Sequence, residues 1–515
     1  MTAAVGTGGV APWVLLALFM VPLIGSLLVW ILPRSADDVH AGLARNVTIG
    51  LLAITAALAT TLWFMVPSGT ATFDVPWIED FGARFQLAAT GLSLPLVLLT
   101  AFLMLLSVIA TDRESVTLRA ASYYAQILLL TAGILGIFLA ADLLVFYLCW
   151  ELMLVPLYLL IGVWGTGKGP AAGTTFFIYT MVGSLLMLVA IVTVASAAGG
   201  TTFDALREMA ANRPLPVTTQ LFCFGAFASA FLVKSALIPF HTWLPDAQSE
   251  GPPLAAVALG IKVGTYGLLV IAYPLFPTAA LHPTTRLVLA TLGVIAVLYG
   301  SLVALAQPDF RRVISYASIA HLGFVVLGIS AFTPESLNGA MLVMLNAGIT
   351  TGGMFLALGF LKKRVGDDRF HALGGLARQM PMLGAVVVLF ALANAGLPGT
   401  NGFVGEFLVL IGSFSRFPML VLCATISVIL AAAYLLWSVQ RMLFGPSAET
   451  VGNVTDLTRS EAAVMGCFVV AIIGLGLAPS PVLNRMNESV TSLANRVTLS
   501  SLLTPTAAVD AEVQP

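Results

Sequence analysis

The sequence predicts an all-α polytopic membrane protein of about fourteen transmembrane helices, and three observations carry that prediction. Of its 515 residues, 59% are hydrophobic and only 9% charged, against about 25% charged in an ordinary soluble protein. Mean hydropathy is +1.00. The apolar residues fall into fourteen runs, each near the roughly 20 helical residues that cross about 30 Å of hydrocarbon. This excludes a soluble enzyme, a nucleic-acid-binding protein and a disordered chain. With 23 Lys+Arg against 24 Asp+Glu, no polyanionic partner is indicated. Cys149, Cys223, Cys423 and Cys467 stand singly in apolar stretches and form no CxxC pair. Neither a disulfide framework nor a set of cluster ligands is expected.

In chain order the runs lie at 12–32, 46–66, 92–110, 119–140, 142–163, 173–197, 219–240, 253–275, 285–306, 311–331, 336–360, 382–414, 418–440 and 461–480. The first reads as a retained span, because MTAAVGTGGVAPW lacks the positive n-region of a cleavable signal. Most connections are short and rich in Gly, Pro, Asp or Arg. Two longer inserts, 67–91 and 198–218, read as extramembranous hairpins or short amphipathic helices, and the polar tail after Pro481 reads as frayed at TPTAAVDAEVQP. The chain divides into 1–118 (spans 1–3 with the first insert), 119–275 (spans 4–8), 285–440 (spans 9–13) and 441–515 (last span and tail). Alternate loops carry seven basic residues on one side and fourteen on the other, the latter including Arg34, Arg113, Arg311, Arg312, Lys362 and Arg364. The positive-inside rule then places both termini on the non-cytoplasmic side.

The buried charges carry the functional information. Glu151, Lys234, Lys262, His321 and Glu406 lie within the fifth, seventh, eighth, tenth and twelfth spans. A charge at a helix centre costs about 2.5–3.5 kcal/mol on insertion scales, so the four without the histidine cost on the order of 10 kcal/mol. That is comparable with the net stability of a whole protein, about 5–15 kcal/mol. Ion pairs gluing helices together are the plain structural explanation. Glue, however, needs one pair and no helix breaks. Here Pro156 follows Glu151 by five residues, and Pro239 follows Lys234 by five. A proline frees the carbonyl four residues before it, here that of Leu152 or Ser235. In the twelfth span, NAGLPGTNGFVGEF places Pro398 with Gly396, Gly399 and Gly402 as an interruption ahead of Glu406. Freed backbone groups at membrane depth are tolerated only in a protein interior or beside water. Broken helices five spans apart fit two inverted five-helix repeats, spans 4–8 and 9–13, as in transporters.

Such groups can pass protons. Burial disfavours the charged form of a lysine, and a neighbouring carboxylate restores it. Separating Glu151 from Lys234 would release a proton, and joining them would take one up. Lys262, His321 and Glu406 extend the relay, histidine being suited to it by titrating near neutrality. His241, seven residues after Lys234, and Asp142, at a span end, are supporting candidates. Asp246, Glu250 and Asp309 read as solvated caps. Gly167–Ala172 matches GxGxxA but follows no strand, so nucleotide binding is discounted. No metal-ligand or haem-ligand spacing occurs.

The segments FYLCWELMLVPLYLLIGVWG, FLVKSALIPFHTWLPDAQSEGPP, QPDFRRVISYASIAHLGFV and LPGTNGFVGEF resemble the antiporter-like subunits of proton-pumping NADH:quinone oxidoreductase, respiratory complex I. The likeness covers roughly 10–480 and extends to the large subunits of Mrp-type cation/proton antiporters. Glu406, where other subunits of the family carry lysine, together with the lack of a long lateral C-terminal helix, resembles the M-type chain. The resemblance implies proton-relay roles for Glu151, Lys234, Lys262, His321 and Glu406. The family often has His after Asn346 and at Gln248, whereas this chain has Ala347 and Gln248. The relay between Lys262 and Glu406 is then expected to use His321, Tyr316, Asn346 and water. The resemblance also implies that NAD, FMN, iron–sulfur clusters and quinone belong to other subunits, with L-type and N-type subunits as neighbours. The abundance of Ala, Val and Gly suggests a GC-rich gene and hints at a bacterium, which makes the bacterial plasma membrane the expected location. The rival readings are an Mrp-type Na⁺/H⁺ antiporter subunit without redox partner, and a scaffold of static ion pairs.

Overall fold

The structure, a computed structural model, describes residues 9–32, 38–67, 69–111, 119–446 and 454–503. Arg34, Arg113 and the tail TPTAAVDAEVQP, all used in the reading above, lie outside the described residues. Among the described residues, thirteen helices are long and apolar enough to cross a membrane. The fourteenth span, twelfth in order, is assembled from the half-helices Pro381–Asn394 and Asn401–Phe414. The eleventh span, Pro334–Val365, is the axis of the bundle, with its most apolar window wholly buried, while the window of the last span, Arg459–Leu477, is 22% buried. Close packing at the axis uses small residues. A Cβ on Gly412 would lie 2.3 Å from the Ser336 nitrogen, and one on Gly339 2.6 Å from the Val409 nitrogen.

The breaks fall where the prolines predict, and one falls elsewhere. The fifth span divides at Met153, between Leu143–Leu152 and Leu154–Trp164. The seventh ends as a helix at Lys234, is irregular over 235–242 and resumes at Trp243–Glu250. The eighth is also broken, between Pro253–Leu259 and Val263–Gly267, with Lys262 in the gap. The breaks in spans seven and twelve close with the same hydrogen bonds. Leu237 N donates to Leu232 O and Leu397 N to Leu392 O, both at 3.0 Å. Ala236 (φ 50°) and Gly396 (φ 74°) occupy the left-handed position that ends each first half.

The inserts and loops sort onto two faces. On one face, strands Ala71–Ile78 and Ala83–Ala89 form an antiparallel hairpin, beside the amphipathic helix Phe203–Asn212. Both insert readings are thereby accounted for. Beyond the last span, Ser480–Leu503 is a 24-residue helix within the segment that the sequence reads only as a polar tail. Its overall polarity hides a stripe of buried Met486, Val490, Leu493, Ala494 and Val497, at the three- and four-residue spacing of one helical face. The helix lies across its own chain, with Arg485 donating to the carbonyls of Val66 and Trp63.

Asp142, a supporting candidate at a span end in the sequence, is a buried helix cap. It is fully buried and accepts from Leu144 N (2.8 Å), Val145 N (3.2 Å), Arg84 N (3.3 Å) and Thr201 Oγ1 (2.5 Å). One carboxylate thus caps the fifth span and clasps the hairpin to the 199–202 turn. Asp142→Ala orphans these donors at about 1–3 kcal/mol for a buried group left unpaired. A lowered unfolding temperature in detergent is the expected result, measured by thermal-shift fluorescence.

Candidate functional site

Lys234 is the last residue of its half-helix, and its position follows from Pro239 ending the helix ahead of it. It is 8% exposed, and its Nζ has no hydrogen-bond partner among the described residues. The ammonium faces aromatic rings, 5.2 Å from the Phe176 centroid and 5.4 Å from that of Trp150. Such contacts supply part of what lost hydration takes away. Trp243 Nε1 donates to Val233 O at 3.0 Å, holding the second half of the span against the break. Glu151 and Lys234 are near enough to interact electrostatically, yet form no ion pair among the described residues. Tyr147, one turn before Glu151, lies against its carboxylate.

Lys262 is 4% exposed, and its Nζ also has no partner among the described residues. Its break abuts that of the seventh span: a Cβ on Gly264 would fall 2.4 Å from Ser235 Oγ and 2.5 Å from Phe231 O. Two amines without partners among the described residues therefore flank adjoining helix breaks. His321 and Glu406, 85 residues apart, meet at 3.0 Å between Nδ1 and Oε1. The second carboxylate oxygen borders the twelfth break, since a Cβ on Gly396 would lie 3.1 Å from Oε2. A small cavity adjoins the pair, lined by Ser301, Ser427 and Tyr434. It has room for about one water molecule.

The supporting candidates distribute differently from the sequence reading. His241 lies outside any helix, so the seven-residue spacing to Lys234 defines no shared helical face. It is nonetheless buried, its Nδ1 unpartnered among the described residues and its ring edge-on to Tyr299 at 5.0 Å. Tyr316 stands in the electrostatic surroundings of Tyr299, Arg312 and Asp246. Asn346 Nδ2 donates to the Asn401 carbonyl. The expected caps are engaged on the face opposite the hairpin. Asp246 pairs with Arg312 at 2.8 Å, and Glu250 accepts from Lys168 N at 3.1 Å. Asp309 caps the tenth span through Arg312 N at 2.8 Å, and burial pushes its carboxyl up from the usual range. Arg311, expected in a loop, is buried and donates to the carbonyls of Ser249 and Gly251.

Sequence reading did not single out Tyr434, Ser301 or Ser427, and these uncharged groups carry no burial penalty large enough to flag them. The break at Lys262 had one signal, Gly260 two residues earlier. Chemically, the arrangement offers two amines without partners, an imidazole–carboxylate pair and a further carboxylate. All are held in interrupted helices or against one, at membrane depth.

The family described as NADH:quinone oxidoreductase/Mrp antiporter, TM matches residues 140–431. Subunit M of the F(420)H(2) dehydrogenase of Methanosarcina mazei is 36% identical over 461 residues, covering 86% of this chain and 93% of that one. The NADH-quinone oxidoreductase subunit M of Pseudomonas aeruginosa is 35% identical over 501 residues, covering 92% and 95%. A chain of respiratory complex I from Thermus thermophilus superposes with a TM-score of 0.85 at 30% identity, covering 94% of this chain and 99% of that one.

Proposed function

Because the chain belongs to the NADH:quinone oxidoreductase/Mrp antiporter transmembrane family, we propose that it is the M-type, proton-translocating subunit of the membrane arm of an NADH:quinone oxidoreductase. The observation that carries this reading is its likeness to subunit M over nearly the full length of both chains, alongside its likeness to a chain of respiratory complex I. Lys234 and Lys262 supply the matching chemistry, as buried amines with no fixed partner. Static glue would lock both in ion pairs.

In this reading Lys234 takes up a proton while the Glu151 carboxylate is close and gives it up when that charge withdraws. The proton passes to Lys262 across the touching breaks and then to the His321–Glu406 pair. Glu406 Oε1 and His321 Nδ1 share one hydrogen bond, so a proton arriving on one side lets another leave from the far side. Redox energy reaches the chain through neighbouring subunits, with NAD, FMN, iron–sulfur clusters and quinone held by other chains, and L-type and N-type subunits on either side. The spans-4–8 and spans-9–13 repeats are inverted copies, which the matching closures at Leu237 and Leu397 support. The protein resides in a bacterial plasma membrane, termini outside the cytoplasm, with the Arg311–Arg312–Lys362 face inward as the basic-residue asymmetry supports.

Affinity isolation of the tagged chain from its native membrane tests this proposal. Flavin- and cluster-bearing subunits should copurify, and NADH oxidation by quinone in inside-out vesicles of the same membrane should acidify their interior. Copurification with small antiporter subunits alone, and Na⁺-driven proton exchange without NADH oxidation, would mark an Mrp-type antiporter instead.

A further inference from the structure

Three buried asparagines have polar atoms without a partner among the described residues. Asn346 is 4% exposed, Asn394 1% and Asn401 1%. Among the described residues, Asn346 Oδ1, Asn394 Oδ1 and both side-chain polar atoms of Asn401 have no partner. Burying an amide without a partner is destabilising, and such groups in native proteins call for a specific explanation, water foremost. Capping does not explain them. Thr400, not Asn401, is the residue that precedes the second half-helix. Asn394 Nδ2 donates back to Phe390 O at 2.9 Å, which leaves its oxygen unused.

Their placement is specific. Asn394 ends the first half of the twelfth span and Asn401 begins the second. The halves touch there, since a Cβ on Gly402 would lie 2.1 Å from Ala393 O and 3.6 Å from Gly396 Cα. Gly396 in turn borders Glu406 Oε2. Asn346 joins from the eleventh span through its bond to Asn401 O. Two residues before Asn346, Met344 Sδ accepts from Thr265 Oγ1 at 2.9 Å, in the short helix that starts directly after Lys262. The asparagines thus lie between the Lys262 break and Glu406. Asn394 also occupies, in the closure of its half-helix, the position that Lys234 occupies in its own: each is three residues before the leucine, Leu397 or Leu237, whose nitrogen closes the turn.

We infer that Asn346, Asn394 and Asn401 are positioning residues whose carboxamides hold water in the gap of the twelfth span, and that this water connects Lys262 to Glu406. The inference rests on the proton-transfer reading above. A carboxamide both donates and accepts hydrogen bonds and does not titrate, so it orients water without trapping the proton. When Lys262 gives up a proton, one N–H bond breaks and one O–H bond forms on the nearest water. Each water passes on one of its own protons, and the last forms the O–H bond on Glu406. The number of waters is unchanged.

The test uses the whole complex in proteoliposomes. Asn394→Leu and Asn401→Leu should slow NADH-driven proton translocation by about tenfold, the effect of roughly 1.4 kcal/mol on a transfer barrier, and should raise its solvent deuterium isotope effect. Asn394→Ser and Asn401→Ser, which retain a group that can hold water, should restore most of the rate. Normal translocation in the leucine variants overturns the inference, and so does equal loss in the serine variants, which would mark a packing role. Should the leucine variants fail to assemble, a density map of the unaltered complex decides. Ordered water within hydrogen-bonding distance of Asn394 Oδ1 and the Asn401 carboxamide supports the inference, and a dry gap overturns it. Glu406→Gln, measured alongside, separates the two levels. Normal pumping there removes the proton-transfer reading, whereas normal pumping confined to the asparagine variants removes this inference alone.

Discussion

Replacing Lys234 with methionine is expected to abolish proton translocation while leaving the protein inserted and assembled. The side chain sits between the Trp150 and Phe176 rings with no hydrogen-bond partner for Nζ among the described residues. Methionine is of similar length, unbranched and apolar, and packs well against aromatic rings. The substitution also removes a charge whose burial costs about 2.5–3.5 kcal/mol on insertion scales. Stability should therefore hold or rise. Transfer should fail, because even about 2.8 kcal/mol added to the barrier slows it roughly a hundredfold. Lys234→Arg makes the distinction sharper. Arginine keeps the positive charge but is never deprotonated in proteins, so a static electrostatic role survives it and a proton-exchanging role does not. Both variants are expected to be inactive in a dye-quenching assay of NADH-driven acidification in proteoliposomes. Full activity in the arginine variant would assign Lys234 to fixed charge rather than proton exchange.

Much of this fold could be read from the amino-acid order because the membrane imposes one dominant rule, that a span must be long and apolar. Pro156, Pro239 and Pro398 then marked three breaks, since proline removes a donor wherever it stands. The eighth break escaped because Gly260–Ile261–Lys262 contains no proline, and a glycine inside a helix weakens it without ending it. The helix Ser480–Leu503 escaped for the opposite reason. A span is recognised by average polarity, whereas a helix lying on the protein surface is recognised only by the spacing of Met486, Val490, Leu493 and Val497.

At the site, charges were legible and partnerships were not. The insertion penalty singles out Glu151, Lys234, Lys262 and Glu406 whatever surrounds them. That Glu406 meets His321, while Lys234 and Lys262 meet no carboxylate within ion-pair distance among the described residues, depends on helix packing. Spans seven and twelve each carry one charge beside a break, Lys234 ahead of its own and Glu406 after its own. The hydrogen bonds that close the breaks align Lys234 with Asn394. An uncharged amide carries too small a penalty to stand out in a sequence, although in the folded chain its orphaned oxygen is conspicuous.

Glu406→Gln is expected to stop translocation as completely as the change at Lys234, by a different physical route. Glutamine preserves volume and retains a carbonyl oxygen able to accept from His321 Nδ1, so the 3.0 Å contact and the packing against Gly396 persist. What it loses is the ability to bind and release a proton within the range that proteins explore. A relay needs each member to change protonation state once per passage, so one silent member blocks the whole path. A purely structural Glu406 would show the reverse pattern, tolerating glutamine while suffering from aspartate, which draws the carboxylate back by one methylene. Aspartate still titrates, so in a relay it should retain partial activity at the longer distance. The measurements are NADH-driven acidification in proteoliposomes and infrared difference spectra of the complex under turnover. In the spectra, a carboxylic-acid carbonyl band should be present in the unaltered protein and absent after Glu406→Gln. Robust pumping by the glutamine variant, with that band unchanged, would move the proton path away from the twelfth span altogether.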